Sequence, residues 1–347
     1  MDSSVSKAQT QQCGKIIVSV LHTLVFAYLI VSVFGCNDSM RTTSGDFNTT
    51  NMNTPQAQAV RIIWNGLEDN NPLIRVNAIE VVASTGQIKF MPKVQRLLRD
   101  EVVPVRFAAS LAVGDLRYTP AKSSVSPLLK DKDVNVIIAA AYAIGKIGDT
   151  EYFEVIRKAI NSDDQTVRAN AAFLLGKTGD TSSLNLLKWA LEDKDSRDKV
   201  RFQALEAMAR LGDGNVLQRL WAIVYSAYAD DRVMGVRAIG ALGTSKARDI
   251  LITKLDDDVL EVRLAAAEQL GMLKNPIGES MVVDVFEKKL AAGFDRQANE
   301  RANVLAALAI GQICTPTLTK FLPQLLKNES KLVRIATAKA VFQCTMR

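Results

Sequence analysis

The chain has 347 residues, 48% of them hydrophobic and only 6% aromatic, with a formal charge of +6 and a single histidine, His22. That histidine lies inside the apolar N-terminal run, so a chain processed after it would contain none, which excludes most zinc sites and every Ser-His or Cys-His nucleophile system. The small basic excess is interspersed with acids, without a dense basic run or an aromatic ladder at base spacing, so no nucleic acid partner is expected.

At the N-terminus, Lys7 and Lys15 precede an uncharged run, IIVSVLHTLVFAYLIVSVFG, from Ile16 to Gly35. A basic start, an apolar stretch and a small residue before the break make residues 1–35 an export signal or membrane anchor. The end, Val33-Phe34-Gly35-Cys36, resembles a bacterial lipobox, in which signal peptidase cuts before a cysteine that receives lipid; Phe34 departs from that pattern. By this resemblance Cys36 is the lipidation site and the chain is a lipoprotein of the bacterial cell envelope, periplasmic or outer-membrane. Twenty apolar residues also suffice to span a bilayer uncut, as a signal anchor. A buried helix is the third alternative. Export by either of the first two routes leaves the N-terminus inside and places the remainder outside the cytoplasm.

Residues 36–55 follow as a linker. The stretch NDSMRTTSGDFNTTNMNTPQA from Asn37 is rich in Ser, Thr and Asn and nearly free of apolar side chains. As a flexible tether it would span on the order of 25 Å.

From residue 56 to 347 one pattern repeats. Aligned on an arginine position, Arg75, Arg106, Ile137, Arg168, Arg201, Arg232, Arg263, Arg301 and Arg334 recur at steps of 31 to 33 residues, with one step of 38 before Arg301. A near-constant period of this size marks a stacked array. Three residues after the anchor come Ala78, Ala109, Ala140, Ala171, Ala204, Gly235, Ala266, Val304 and Thr337, mostly small, which lets helices approach closely. Six before it come Asp69, Asp100, Asp131, Ser162, Asp195, Ser226, Asp257, Asp295 and Asn328, all turn or N-cap residues. Eleven after it, Gly86, Gly148, Gly179, Gly212 and Gly243 suit the left-handed end of a helix, and Asp149, Asp180 and Asp213 can cap the next one.

Each unit therefore reads as a first helix, a polar turn, a second helix and a short Gly-Asp connection. No segment reads as strand, and the expected fold is all-α: an α-solenoid of about nine helix-turn-helix repeats. Gly176-Lys177-Thr178 has the ending of a phosphate-binding loop, but Ala171 stands where that loop requires its first glycine. The triplet is instead expected to close a helix, with Lys177 solvated and favouring the negative helix end.

These columns resemble HEAT-like repeats of the short bacterial type found in phycobilin lyase-related proteins. In that family the turn aspartate and the anchor arginine form a hydrogen-bonded ladder between neighbouring repeats. The resemblance assigns that role to Asp69, Arg75 and their equivalents, with Ile137 breaking the ladder in the third repeat.

Some HEAT-like relatives are iron hydroxylases that use His-Glu pairs, and this sequence has none. The paired acids Asp163/Asp164, Asp230/Asp231 and Asp256 to Asp258 precede second helices and read as caps. No catalytic residue, cofactor, metal or small-molecule substrate is expected, and the chain reads as a non-enzyme. The function that follows is a membrane-anchored extracytoplasmic scaffold or adaptor, binding a protein partner or envelope component through a concave face. A lyase- or chaperone-like module acting on a client protein is the alternative. If second helices line that face, positions two, five and nine after the anchor point outward. Leu111, Tyr142 and Phe173 then form an exposed apolar stripe rimmed by Lys146, Lys177 and Arg210, the candidate partner-binding residues; a tightly curved array would instead bury the stripe as core. Cys314 and Cys344 lie thirteen and ten residues past their anchors, about one turn out of line. They are left as either a disulfide or two buried thiols.

Overall fold

A computed structural model describes residues 54–346. The export segment, Cys36, His22, Cys13 and the linker up to residue 53 lie outside the described residues. Among the described residues every regular element is a helix, and none is long and apolar enough to cross a membrane.

The helices come in nine pairs. The second helices are Pro72–Ser84, Val103–Asp115, Val134–Ile147, Gln165–Thr178, Asp198–Arg210, Ala229–Leu242, Leu260–Met272, Arg296–Ile313 and Lys331–Thr345. Local chemistry sets their ends. The Asn71, Asp133, Asp164 and Ser330 side chains accept hydrogen bonds from the first free N–H groups. At the other end Gly86, Gly148, Gly179, Gly212 and Gly243 all have positive φ, as the sequence predicts. The connection Asp180 and Asp213 make to the next helix is a side-chain cap, whereas Asp149 instead pairs with Lys122 at 2.8 Å.

The small-residue column is packed between helices. Ala78, Ala109, Ala140, Ala171, Ala204 and Ala266 are fully buried. Gly235 shows why size is limited there: a Cβ on it would stand 2.8 Å from the Ile223 and Val224 side chains. Second helices pack on second helices in succession and form the inner layer, and the first helices lie outside them.

The array does not stay open. The last inner helix, Lys331–Thr345, packs against both helices of the first repeat, Pro55–Gly66 and Pro72–Ser84. Lys331 Nζ donates to Asp69 Oδ2 at 2.6 Å and Lys339 Nζ to Glu80 Oε1 at 2.9 Å. The Phe90 and Phe342 rings sit 6.4 Å apart across the same seam. Nine repeats that close on themselves turn by about 40° each, more than a loosely curved stack would need. The consequence is a ring in which most of the inward column is buried.

The arginine ladder is present, and it runs forward between repeats. Arg75 donates to Asp100 at 2.8 Å, Arg106 to both oxygens of Asp131 at 2.9 Å, and Arg232 to Asp257 at 2.9 Å. Arg75, Arg106 and Arg232 also donate to backbone carbonyls of their own turns. Arg168 donates to Asp193 at 2.5 Å, so the rung belongs to Asp193 and not to Asp195 as expected. The two extra residues in that turn explain the shift. Ile137 interrupts the ladder as expected, and at the seam Lys331 supplies the cation that Asp69 receives.

The eighth repeat corrects the alignment. Arg301 is 41% exposed at its side chain and Val304 is only half-buried, whereas Ala302, Leu305 and Ala306 are core. Placing the anchor at Asn303 puts Ala306 in the small-residue column and Cys314, with φ +57°, in the left-handed column. The insertion before this repeat lengthened the helix at its start by about one turn. With that register Cys314 and Cys344 fall nearly level in adjacent helices, and they form a disulfide with Cα atoms 5.3 Å apart.

Candidate functional site

The inward column begins five residues after each anchor, on the face of the second helix opposite the outer layer. Leu111 is 0%, Tyr142 1% and Phe173 6% exposed, so the expected wet stripe is core. Ring closure is the reason: a curvature that brings the first and last repeats together turns this column toward the middle of the ring. The same column carries Glu80, Arg237, Glu268 and Lys339, all buried, and closure lets them meet across the ring. Lys339 pairs with Glu80, and Arg237 lies 3.9 Å from Glu268. Burial pushes the Glu268 carboxyl up despite the opposing pull of Arg237 and Lys339.

One turn further on, Asp115, Lys146, Lys177 and Arg210 stand in the last turns of four successive inner helices. Lysine and arginine at these ends suit the negative pole of the helix dipole. Lys177 is not solvated. Its ammonium is buried and donates to Asp115 Oδ2 at 2.8 Å, and burial holds its pKa below the usual lysine value although Asp115 opposes this. The Tyr142 hydroxyl donates to Asp115 Oδ1 at 2.7 Å; burial, then the Asp115 charge, pushes that phenol well above its ordinary range. Arg210 pairs with Glu206 on its own helix at 2.6 Å. Lys146 is half-buried, one turn after Tyr142.

The six predicted partner-binding residues are thus brought together, but as the interior and one mouth of a ring rather than as an open face. Sequence reasoning missed Asp115, the acid that joins Tyr142 to Lys177, and Arg117 beside it. The signal was available: Asp115 stands at the nine-after position of repeat 2, in line with Lys146, Lys177 and Arg210. Among the described residues no cluster of three or more His, Cys, Asp or Glu side chains could hold a metal ion.

Helix pairs stacked with a constant period around an inner layer of second helices define an α-solenoid. The family model for HEAT repeats matches residues 60–145, 94–169 and 153–234, together half of the chain, and the chain belongs to that family. Among solved structures it is similar to the complex of CpcE and CpcF of phycocyanin lyase from Nostoc sp. PCC7120, at 15% identity over 73% of this chain and 94% of that one, with a TM-score of 0.42. It is also similar to human deoxyhypusine hydroxylase, at 18% identity over 77% and 99%, with a TM-score of 0.37. For importin beta the values are 14%, 81% and 47%, with a TM-score of 0.34. Likenesses this distant bear on no activity, ligand or partner. No curated protein matches the chain.

Proposed function

We propose that this chain is a membrane-anchored, extracytoplasmic HEAT-repeat scaffold that binds a protein partner through the outside of its ring. The observation that carries the reading is where the large apolar side chains are spent. The inward column is consumed in closing the ring, while Trp64, Trp189, Trp221 and Tyr225 of the outer layer, and Tyr228 in the turn that follows, are exposed. Trp221 and Tyr225 sit with ring centroids 5.2 Å apart, Tyr228 follows at 74% exposure, and Trp189 belongs to the first helix of the preceding repeat. Exposed Trp and Tyr in neighbouring elements are the residue types that anchor protein interfaces. The Cys314–Cys344 disulfide supports the extracytoplasmic part of the proposal, since such bonds persist in oxidising compartments.

The partner surface is tested with Trp221→Ser and Tyr225→Ser in the full chain, crosslinked in intact cells. The expected result is loss of the crosslinked adduct at an unchanged melting temperature; an unchanged adduct overturns the outer surface as the docking face. For the anchor, Cys36→Ser should leave a longer precursor that incorporates no labelled fatty acid. A wild-type chain that carries no lipid and is never shortened would overturn lipidation.

A further inference from the structure

The charges at the mouth formed by repeats 2 to 5 do not balance. Asp115 is fully engaged, one oxygen with the Tyr142 hydroxyl and the other with Lys177, and Glu206 is engaged with Arg210. Two cations are left over. Lys146 lies one helical turn after Tyr142, Arg117 is exposed two residues after Asp115, and the charges of Arg117 and Asp115 both reach the Lys146 ammonium. Neither side chain has a hydrogen bond or ion pair with a described residue. Burial, and then the Arg117 charge, pushes the Lys146 ammonium down; Asp115 opposes the shift and Lys177 adds to it. A half-buried lysine beside a second cation, whose nearby acid is already shared with Tyr142 and Lys177, is favoured by an arriving anion.

The backbone at Arg117 allows a matched test. It occupies the left-handed position eleven residues after the anchor, at φ +45°, where five other repeats use glycine. A side chain there bears strain that glycine would not. Lys274 holds the corresponding place in repeat 7 at φ +57° and provides a matched control.

We propose that Arg117 and Lys146 form a binding site for one phosphate dianion, presented as inorganic phosphate or as a phosphomonoester headgroup, at this mouth of the ring. Two unmatched positive charges fit a dianion, the guanidinium offering a two-pronged donor and the ammonium a point charge. The site is independent of the outer aromatic surface.

The test uses the purified full chain and inorganic phosphate as probe, followed by phosphorus NMR and calorimetry. Wild type and Lys274→Gly should bind equally, while Arg117→Gly and Lys146→Met should each bind at least tenfold more weakly. Both glycine variants should melt no lower than wild type, which separates lost binding from lost folding. A second arm uses phosphatidylcholine vesicles with and without phosphatidic acid. Adsorption that requires phosphatidic acid and falls in the same two variants assigns a lipid source; phosphate binding without such adsorption assigns a soluble one. Phosphate affinity that is absent, or equal in all four proteins, overturns the site.

Discussion

At the scale of single residues, Lys177 shows how a helix end becomes an interior. A lysine in the last turn of a helix is ordinarily solvated, yet here Asp115 and Tyr142 meet it inside the ring. Removing one member of such a pair strands the other charge, which costs about 3 kcal/mol, the low end for buried pairs because Asp115 keeps some exposure. We therefore expect Lys177→Ala to lower stability by about that amount in urea unfolding. A loss under about 0.5 kcal/mol, normal for a surface lysine, would show that the pair does not hold. Tyr142→Phe should cost less, about 2 kcal/mol, because it deletes one hydrogen bond to a charged group and leaves the ring in place.

Between elements, close approach and the arginine ladder decide stability. Gly176 lies where the inner helices of repeats 4 and 5 touch, and a Cβ there would stand 2.7 Å from the Ala207 Cα. Alanine is the better helix former by about 1 kcal/mol. Overpacking against backbone should outweigh that, by up to about 3 kcal/mol. Gly176→Ala is therefore expected to lower the urea midpoint, and a raised midpoint would contradict the packing.

The ladder also predicts an acid response. The Arg168 hydrogen bond and the Asp195 N–H hold the Asp193 carboxyl below its usual range. At Asp131 burial works in the opposite direction, but Arg106 and the Asp133 N–H overcome it, and the shift is again downward. A carboxyl with a depressed folded pKa stabilises fully above its unfolded value of about 4 and loses that contribution as pH falls through the folded value. Stability should accordingly drop below about pH 4. Arg168→Gln should make the drop shallower, and an unchanged pH profile would show that the rung carries no linkage.

For the whole molecule, closure is the property to test. A staple across a loop of thirty residues stabilises by about 3–4 kcal/mol in the chain-entropy picture. Reducing Cys314–Cys344 should therefore speed hydrogen exchange in Lys331–Thr345 and in its seam partner, Pro72–Ser84, before other inner helices respond. Uniform exchange across all nine repeats would mean that the seam is not a separate unit of opening. Glu80→Lys should open the seam by placing two lysines together, and adding Lys339→Glu should restore it, as read by the radius of gyration.

The sequence by itself determined everything that recurs. Glycines that end helices, small residues where helices touch and polar turns that cap each obey a local rule, and repetition made them legible; the arginine ladder was legible only through the family resemblance. The inward column could not be read in the same way, because Leu111, Tyr142 and Phe173 look alike on an open curved face and in a closed interior. Whether they meet water depends on the rotation accumulated over nine repeats, a sum of small angles that no single repeat displays. Tertiary structure likewise decided that Lys331 reaches Asp69, that Lys339 reaches Glu80, and that Asp115 holds Lys177. Those contacts join residues far apart in the chain, and only the closed ring brings them together.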